Sequence, residues 1–141
     1  MLLVDVNILL YSHRQILADH VLVNRWLVHA MAGSEPVALC DFVATGFVRI
    51  ATSSAVFIPP SSPDTTFDFI EELRKQPNYR WVTSGPDFWD IFVRLCRESG
   101  ISGSDISDAY LAALAIENGC TLVSMDRGFR RFRGLKWKLP K

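Results

Sequence analysis

Short apolar segments alternate with longer amphipathic ones along the chain, and this alternation limits the possible folds more than any other feature. The short segments are rich in β-branched residues and predict buried strands at 2–6, 36–40, 80–82 and 120–124. The longer segments repeat apolar residues at helical spacing, at 18–32, 41–50, 64–73, 86–98 and 109–116. Strands that alternate with helices predict one α/β domain over residues 1–141, with a mostly parallel central sheet and helices on both faces.

The composition is typical of a globular protein that stays in the compartment where it is made. No apolar run approaches the roughly 18 residues that a membrane-spanning helix needs. Met1 leads directly into an apolar strand, without the basic segment and cleavage site of a signal peptide. Three widely spaced cysteines favour buried thiols in a reducing compartment. We therefore expect a cytoplasmic protein without a membrane anchor.

The formal charge is balanced but unevenly distributed. Residues 1–126 carry 8 basic and 15 acidic side chains, whereas residues 127–141 carry 7 basic and no acidic side chains. A basic edge on an acidic protein can bind a polyanion, although a solvated tail that serves solubility is an equal alternative. The aromatic residues between these cations could contact nucleic acid or fill the core; they are Phe129, Phe132 and Trp137.

Aspartates follow three of the predicted strands. Asp5, Asp41 and Asp126 stand at or just beyond strand ends, and Asp108 lies in the opening turns of the apolar helix before the last strand. In a parallel sheet the functional crevice lies outside the carboxyl ends of the strands. Converging carboxylates repel one another unless a cation lies between them, and Mg²⁺ and Mn²⁺ favour carboxylate and water ligands. The pattern predicts a divalent metal site.

Most of these carboxylates also have a simpler explanation. Asp41 could be a helix N-cap, and Asp126 could be a turn residue. Asp105 and Asp108 stand three apart, as in a capping box, so either could satisfy amide groups at a helix start. Asp105 could instead lie beside the metal as a secondary ligand. Asp5 has no comparable alternative, because a buried carboxylate without a partner in an apolar strand is costly.

Four segments, in this order and at these separations, resemble the motifs of the PIN-domain ribonuclease toxins of the VapC type. They are 4–11, 37–52, 107–119 and 122–129. The resemblance implies a PIN-like three-layer fold and hydrolysis of RNA by a metal-activated water, with magnesium or manganese as the cofactor. It implies metal binding by Asp5, Asp108 and Asp126. It gives Asp41 a further catalytic role and gives supporting roles to Asn7 and Ser124, beside the supporting role that helical spacing allows Asp105.

The second motif departs from the family, because Asp41 stands where glutamate is usual. A non-catalytic interaction module of the same fold, without metal binding, is therefore the alternative reading. A phosphatase of the haloacid-dehalogenase kind is disfavoured, because it needs an acid where this chain has Asn7.

The resemblance also implies three partners: an RNA substrate, a VapB-type antitoxin and a second copy of the chain in a homodimer. Four arginines are expected to contact the RNA backbone, namely Arg14, Arg127, Arg130 and Arg131. All three histidines precede residue 30, away from the later acidic motifs. We therefore expect no histidine to act as an essential acid or base.

Overall fold

The computed structural model describes residues 1–141. Its central layer contains five strands, β1 (Leu2–Val4), β2 (Val37–Leu39), β3 (Tyr79–Trp81), β4 (Thr121–Val123) and β5 (Lys136–Lys138). They form one sheet in the order β3-β2-β1-β4-β5, and every neighbouring pair is parallel. The predicted α/β class and parallel sheet are confirmed.

Six α-helices connect the strands: α1 (Val6–His13), α2 (His20–Ala32), α3 (Asp41–Ala51), α4 (Pro63–Arg74), α5 (Phe88–Ser99) and α6 (Ile106–Glu117). They pack in two groups, because α1 contacts α2 and α3, α3 contacts α4, and α5 lies against α6. The chain moves along the sheet in one direction from β1 to β3 and returns across it to β4, so the usual right-handed crossovers put the two groups on opposite faces. The three layers explain why β1 and β2 are buried along their whole length.

The helix α6 is the most deeply buried helix of the fold. Ala109 and residues 111–115 are all inaccessible to solvent or nearly so. Alanines at four of these positions give the helix a narrow profile, so that it can lie close to its neighbours.

No helix combines the length and the apolar composition that crossing a membrane requires.

The first strand is shorter than predicted, and this changes the role of Asp5. The strand ends at Val4 and a helix begins at Val6, so Asp5 is the N-cap residue of α1. Its side chain accepts a hydrogen bond from the Val6 amide. Asp5 therefore has a capping role, and the expectation that it lacks a simple structural role is wrong, because the apolar residues around it did not indicate that a helix begins at Val6.

The basic terminal segment belongs to the folded domain. A short 3-10 helix at Arg127–Arg131 follows β4, and β5 then pairs with β4 at the edge of the sheet. Phe129 and Phe132 are buried and Trp137 is half-buried, so these aromatics pack in the core. The flanking Lys136 and Lys138 are exposed, which protects an edge strand from pairing with another chain.

Candidate active site

Asp5 is the centre of a hydrogen-bonded cluster at the carboxyl ends of β1 and β4. The parallel register pairs Val4 with Val123, so the residues that follow the two strands, Asp5 and Ser124, lie side by side. The Asp5 Oδ1 atom accepts from the Val6 amide at 2.7 Å. Its Oδ2 atom accepts from Ser124 Oγ at 2.6 Å and from Asn7 Nδ2 at 2.8 Å. These donors fix the orientation of the carboxylate.

Ser124 and Asn7 also tie this carboxylate to the loop after β4. Ser124 is fully buried, and its Oγ atom accepts from Asn7 Nδ2 and from the Asp126 amide, both at 3.0 Å. The Asn7 Oδ1 atom accepts from the Met125 amide at 3.1 Å. The structure thus brings Asn7 and Ser124 to Asp5 as supporting residues and links them to the backbone of Asp126.

The charge state of Asp5 reflects two opposing influences. Burial raises the pKa of this carboxyl group above its ordinary value, and the nearby charge of Asp126 adds to the rise. The hydrogen bonds from Ser124, Val6 and Asn7 oppose it by stabilising the carboxylate form. A half-buried carboxylate with a raised pKa and a nearby like charge gains from a bound cation, which is the electrostatic setting expected of a metal ligand.

Asp108 approaches the same cluster from the first turn of α6. Burial raises the pKa of Asp108, the Arg131 guanidinium lowers it, and the charges of Asp126, Asp5 and Asp105 raise it again. The three predicted metal ligands are therefore close enough to act on one another through their charges. The side chain of Asp105, at the cap position of α6, makes no capping hydrogen bond, and the side chain of Asp108 binds Arg131. The capping-box alternative for this helix start is therefore wrong.

Asp126 has a structural role as well as a position in the cluster. It is the cap residue of the 3-10 helix, and its Oδ1 atom accepts from the Gly128 amide at 2.7 Å. The turn role considered from the sequence is thus present. The Oδ2 atom of this exposed side chain makes no hydrogen bond, so one oxygen remains available to a ligand.

Asp41 lies at the same edge of the sheet but outside this network. It is the first residue of α3, the cap position belongs to Cys40, and its exposed carboxylate forms no hydrogen bond. The N-cap alternative for Asp41 is therefore wrong. The charges of both Asp41 and Asp5 raise the pKa of the buried Cys40 thiol, although burial itself is the larger cause of its rise to about 11. Cys40 thus lies near both carboxylates.

The oxygens of the cluster suit a hard divalent cation that keeps most of its water. No three His, Cys, Asp or Glu side chains are arranged to hold a metal ion directly between them. Asp5 accepts three hydrogen bonds, Asp108 faces Arg131 and Asp126 folds back on Gly128. Mg²⁺ commonly uses one or two carboxylates and several waters, so the donor set fits such an ion.

The four predicted RNA-binding arginines do not form one surface. Arg14 donates to the Pro59 carbonyl at 3.0 Å and to Ser61 Oγ at 3.1 Å, and its guanidinium lies 4.3 Å from the centre of the Phe57 ring. These contacts hold the loop after α3, and the structure does not bring Arg14 to the acidic cluster. Its side chain is partly buried and already paired, which argues against the predicted role.

The other three arginines lie on the 3-10 helix beside the cluster. Arg127 follows Asp126 directly and is exposed without an ion-pair partner. The Arg130 guanidinium lies 5.1 Å from the centre of the Trp137 ring. Arg131 binds Asp108 and Asp105. This ion pair was not predicted, because no spacing rule links residues 108 and 131 before the fold is known.

Ser124→Ala is expected to destabilise the protein and to raise the pKa of Asp5 further. The variant removes a buried hydroxyl that serves three partners, and unpaired buried groups cost about 1–3 kcal/mol. Urea unfolding should report the loss, and NMR titration of the Asp5 carboxyl carbon should report the pKa. Ser84→Ala, at an exposed serine without hydrogen bonds, is the control. An unchanged pKa of Asp5 in the Ser124 variant would contradict the assigned network.

Comparisons with known proteins agree with this architecture. The family model for the PIN domain matches residues 2–135. A VapC ribonuclease of Mycobacterium bovis, Mb2897, is 40% identical over 140 residues, which cover 99% of this chain and 95% of the relative. Ribonuclease VapC25 of Mycobacterium tuberculosis is 35% identical, and the match covers 99% of each protein.

Solved structures of lower sequence identity share the fold. A chain in the DNA-bound VapBC2 structure from Rickettsia felis has a TM-score of 0.70 at 15% identity, with 99% of this chain and 98% of that chain covered. VapC20 of Mycobacterium tuberculosis, described as a toxin that cleaves the sarcin-ricin loop, has a TM-score of 0.68 at 14% identity, with 96% and 99% covered.

The fold and the acidic cluster at the end of its parallel sheet define the class of protein as a PIN domain. The chain belongs to the VapC family of PIN-domain proteins, because relatives at 35–40% identity match it along almost its whole length. The resemblance stated from the four sequence motifs is confirmed.

Proposed function

We propose that this protein is a divalent-metal-dependent endoribonuclease and the toxin of a type II toxin–antitoxin pair. The observation that carries the proposal is the half-buried carboxylate of Asp5, held by Asn7 and Ser124 within reach of the charges of Asp108 and Asp126. The names of the curated relatives, all VapC ribonucleases, support RNA as the substrate class. Such an enzyme would act on RNA in the cytoplasm.

Each residue of the cluster has a distinct part in this proposal. Asp5 and Asp108 would hold the cation, and Asp126 would reach it directly or through a water molecule. A bound Mg²⁺ or Mn²⁺ ion supplies an activated water and stabilises the charge on the phosphate oxygens. Asn7 and Ser124 keep Asp5 oriented, which matters because ligand orientation sets metal affinity. Asp41 lies at the same edge of the sheet but outside the hydrogen-bonded cluster, and it remains a predicted catalytic residue.

Arg127 is the best candidate for an RNA backbone contact. Its side chain is exposed, it has no acidic partner, and it stands next to Asp126. A phosphate bound there would lie beside the proposed metal site. Arg130 adds positive charge on the same short helix, so the basic segment would draw a polyanion towards an otherwise acidic protein.

The proposed partners are a VapB-type antitoxin and a second copy of the chain. Several solved relatives are described as VapBC complexes, which supports an antitoxin. Large apolar side chains are exposed on two helices and would suit protein contacts; they are Val21, Leu22 and Val28 on α2 and Trp89 on α5. The non-catalytic alternative is less favoured, because both Asp5 and Asp108 are present and the like charge of Asp126 beside Asp5 favours a bound cation.

The decisive experiment is cleavage of a pool of structured RNAs by the purified protein. We expect cutting with Mg²⁺ or Mn²⁺, loss of cutting with EDTA, and recovery when excess metal is added. Metal binding should be followed in parallel by calorimetry without RNA. Cutting that persists in EDTA would contradict metal dependence. Absence of both cutting and metal binding would favour the non-catalytic module.

A further inference from the structure

Arg131 is the one basic residue that forms an ion pair with the acidic cluster. Its Nη2 atom lies 2.8 Å from Asp108 Oδ2 and 3.6 Å from Asp105 Oδ1. The side chains of Arg131 and Asp108 are 31% and 29% exposed, so water screens this pair less than an ion pair on the open surface. The guanidinium thus neutralises a carboxylate that is proposed to bind metal.

We propose that Arg131 is an internal counter-ion that competes with the divalent cation for Asp108. In the metal-free protein Arg131 pairs with Asp108, and when a cation binds it releases that carboxylate. The inference rests on the proposed metal-dependent function and adds to it a residue that sets metal affinity. Arg131 is a positioning residue in this account, since it acts through Asp108.

The contacts of Arg131 permit such a release. Its guanidinium donates to carboxylates alone and to no backbone carbonyl, so a change of side-chain rotamer is enough to free it. The guanidinium carbon already lies 5.0 Å from the centre of the Phe132 ring while Arg131 is paired with Asp108, so this aromatic contact does not depend on the carboxylate. The freed side chain would join Arg127 and Arg130 on the same short helix, which increases the positive charge offered to RNA when metal is bound.

Electrostatics requires the competition if both cations use Asp108. Two positive groups at contact distance from one carboxylate repel each other, and this repulsion weakens binding of the metal. Loss of the positive charge at position 131 must therefore strengthen metal binding, whereas loss of a more distant arginine has a smaller effect. A merely structural role of the ion pair would not produce this gain in affinity.

The test is Mn²⁺ binding by the full chain, measured by calorimetry in the absence of RNA. Arg131→Gln is expected to bind Mn²⁺ about three- to tenfold more tightly than the wild type. Arg131→Lys should remain close to the wild type, because it keeps the charge. The matched control is Arg130→Gln, which removes the same charge from the same helix but pairs with no carboxylate, and it should change affinity less than about twofold.

A second measurement uses the wild-type protein and does not depend on any variant folding. The Nε–Hε signal of Arg131 should shift on titration with Mg²⁺, and that of Arg130 should move less. An unchanged Arg131 signal at saturating Mg²⁺, or equal Mn²⁺ affinity of Arg131→Gln and wild type, overturns the inference and leaves the metal-dependent function intact. Absence of Mn²⁺ binding by the wild type and by all the variants overturns both the inference about Arg131 and the metal-dependent function.

Discussion

Asp5→Asn is expected to lower the rate of RNA cleavage by about 10²- to 10³-fold. The substitution keeps the size of the side chain but removes the charge that is proposed to hold the cation. Metal ions stabilise the charge of phosphoryl transition states by several kcal/mol, and each 1.36 kcal/mol is a factor of ten in rate. Initial rates on one RNA from the cleaved pool, with Mg²⁺ in excess, measure the effect.

The same variant should stay folded, which separates chemistry from stability. The pKa of Asp5 is raised in the folded protein by burial and by Asp126. A group whose pKa is higher in the folded than in the unfolded protein stabilises the fold at a pH below its unfolded pKa. That stabilisation is lost as the pH rises through its folded pKa, so at pH 7 ionised Asp5 disfavours folding. Asparagine removes this cost, while weaker hydrogen bonds to Ser124 and Asn7 offset the gain. We expect the free energy of unfolding to stay within about 1 kcal/mol of the wild type.

Asp68→Asn is the matched control for this experiment. Asp68 is an exposed carboxylate on α4, outside the acidic cluster, so its neutral variant should cleave at the wild-type rate. An Asp5→Asn enzyme of undiminished rate would remove Asp5 from the chemistry. Equal losses in both variants would point to net charge, and not to the cluster, as the cause.

The order of strands and helices could be predicted because each core strand is a short apolar run. Four of the five strands and most helices lie where they were predicted, since the apolar period and the composition change clearly between them. The strand β5 was not predicted, because Lys136 and Lys138 flank Trp137 and the segment has the alternating pattern of an exposed edge, not of a buried strand. The same criterion extended the first strand to Val6, because Val6 continues the apolar run beyond Asp5, whereas β1 ends at Val4 and α1 begins at Val6.

The acidic cluster could be predicted in part, because parallel strands place their carboxyl ends at one edge. Asp5 and Ser124 meet through the β1–β4 register, and Asp126 follows two residues later. The contacts of the arginine side chains could not be predicted, since they depend on packing between residues that are far apart in sequence. Arg14 holds a loop, whereas Arg131 faces Asp108 across 23 residues of sequence. The positive charge of an arginine does not show, before the fold is known, which of these contacts its side chain will make.

Phe129→Ala is expected to lower the free energy of unfolding by about 3–5 kcal/mol, the usual cost of removing a buried aromatic ring. Phe129 is 1% exposed and packs against Phe132, with 6.1 Å between the ring centres. A domain of this size is stabilised by only about 5–15 kcal/mol, so the loss is a large fraction of the total. Urea unfolding followed by circular dichroism measures it.

The control for this loss is Arg133→Ala, an exposed position in the same terminal segment, which should change stability by no more than about 0.5 kcal/mol. Phe129 stands between Asp126 and Arg131 on the 3-10 helix, so the buried ring also holds the backbone that presents both charged groups. A loss below about 1 kcal/mol in Phe129→Ala would mean that the ring does not anchor this segment. The position of Asp126 in the cluster would then depend on its hydrogen bonds to Ser124 and Gly128 alone.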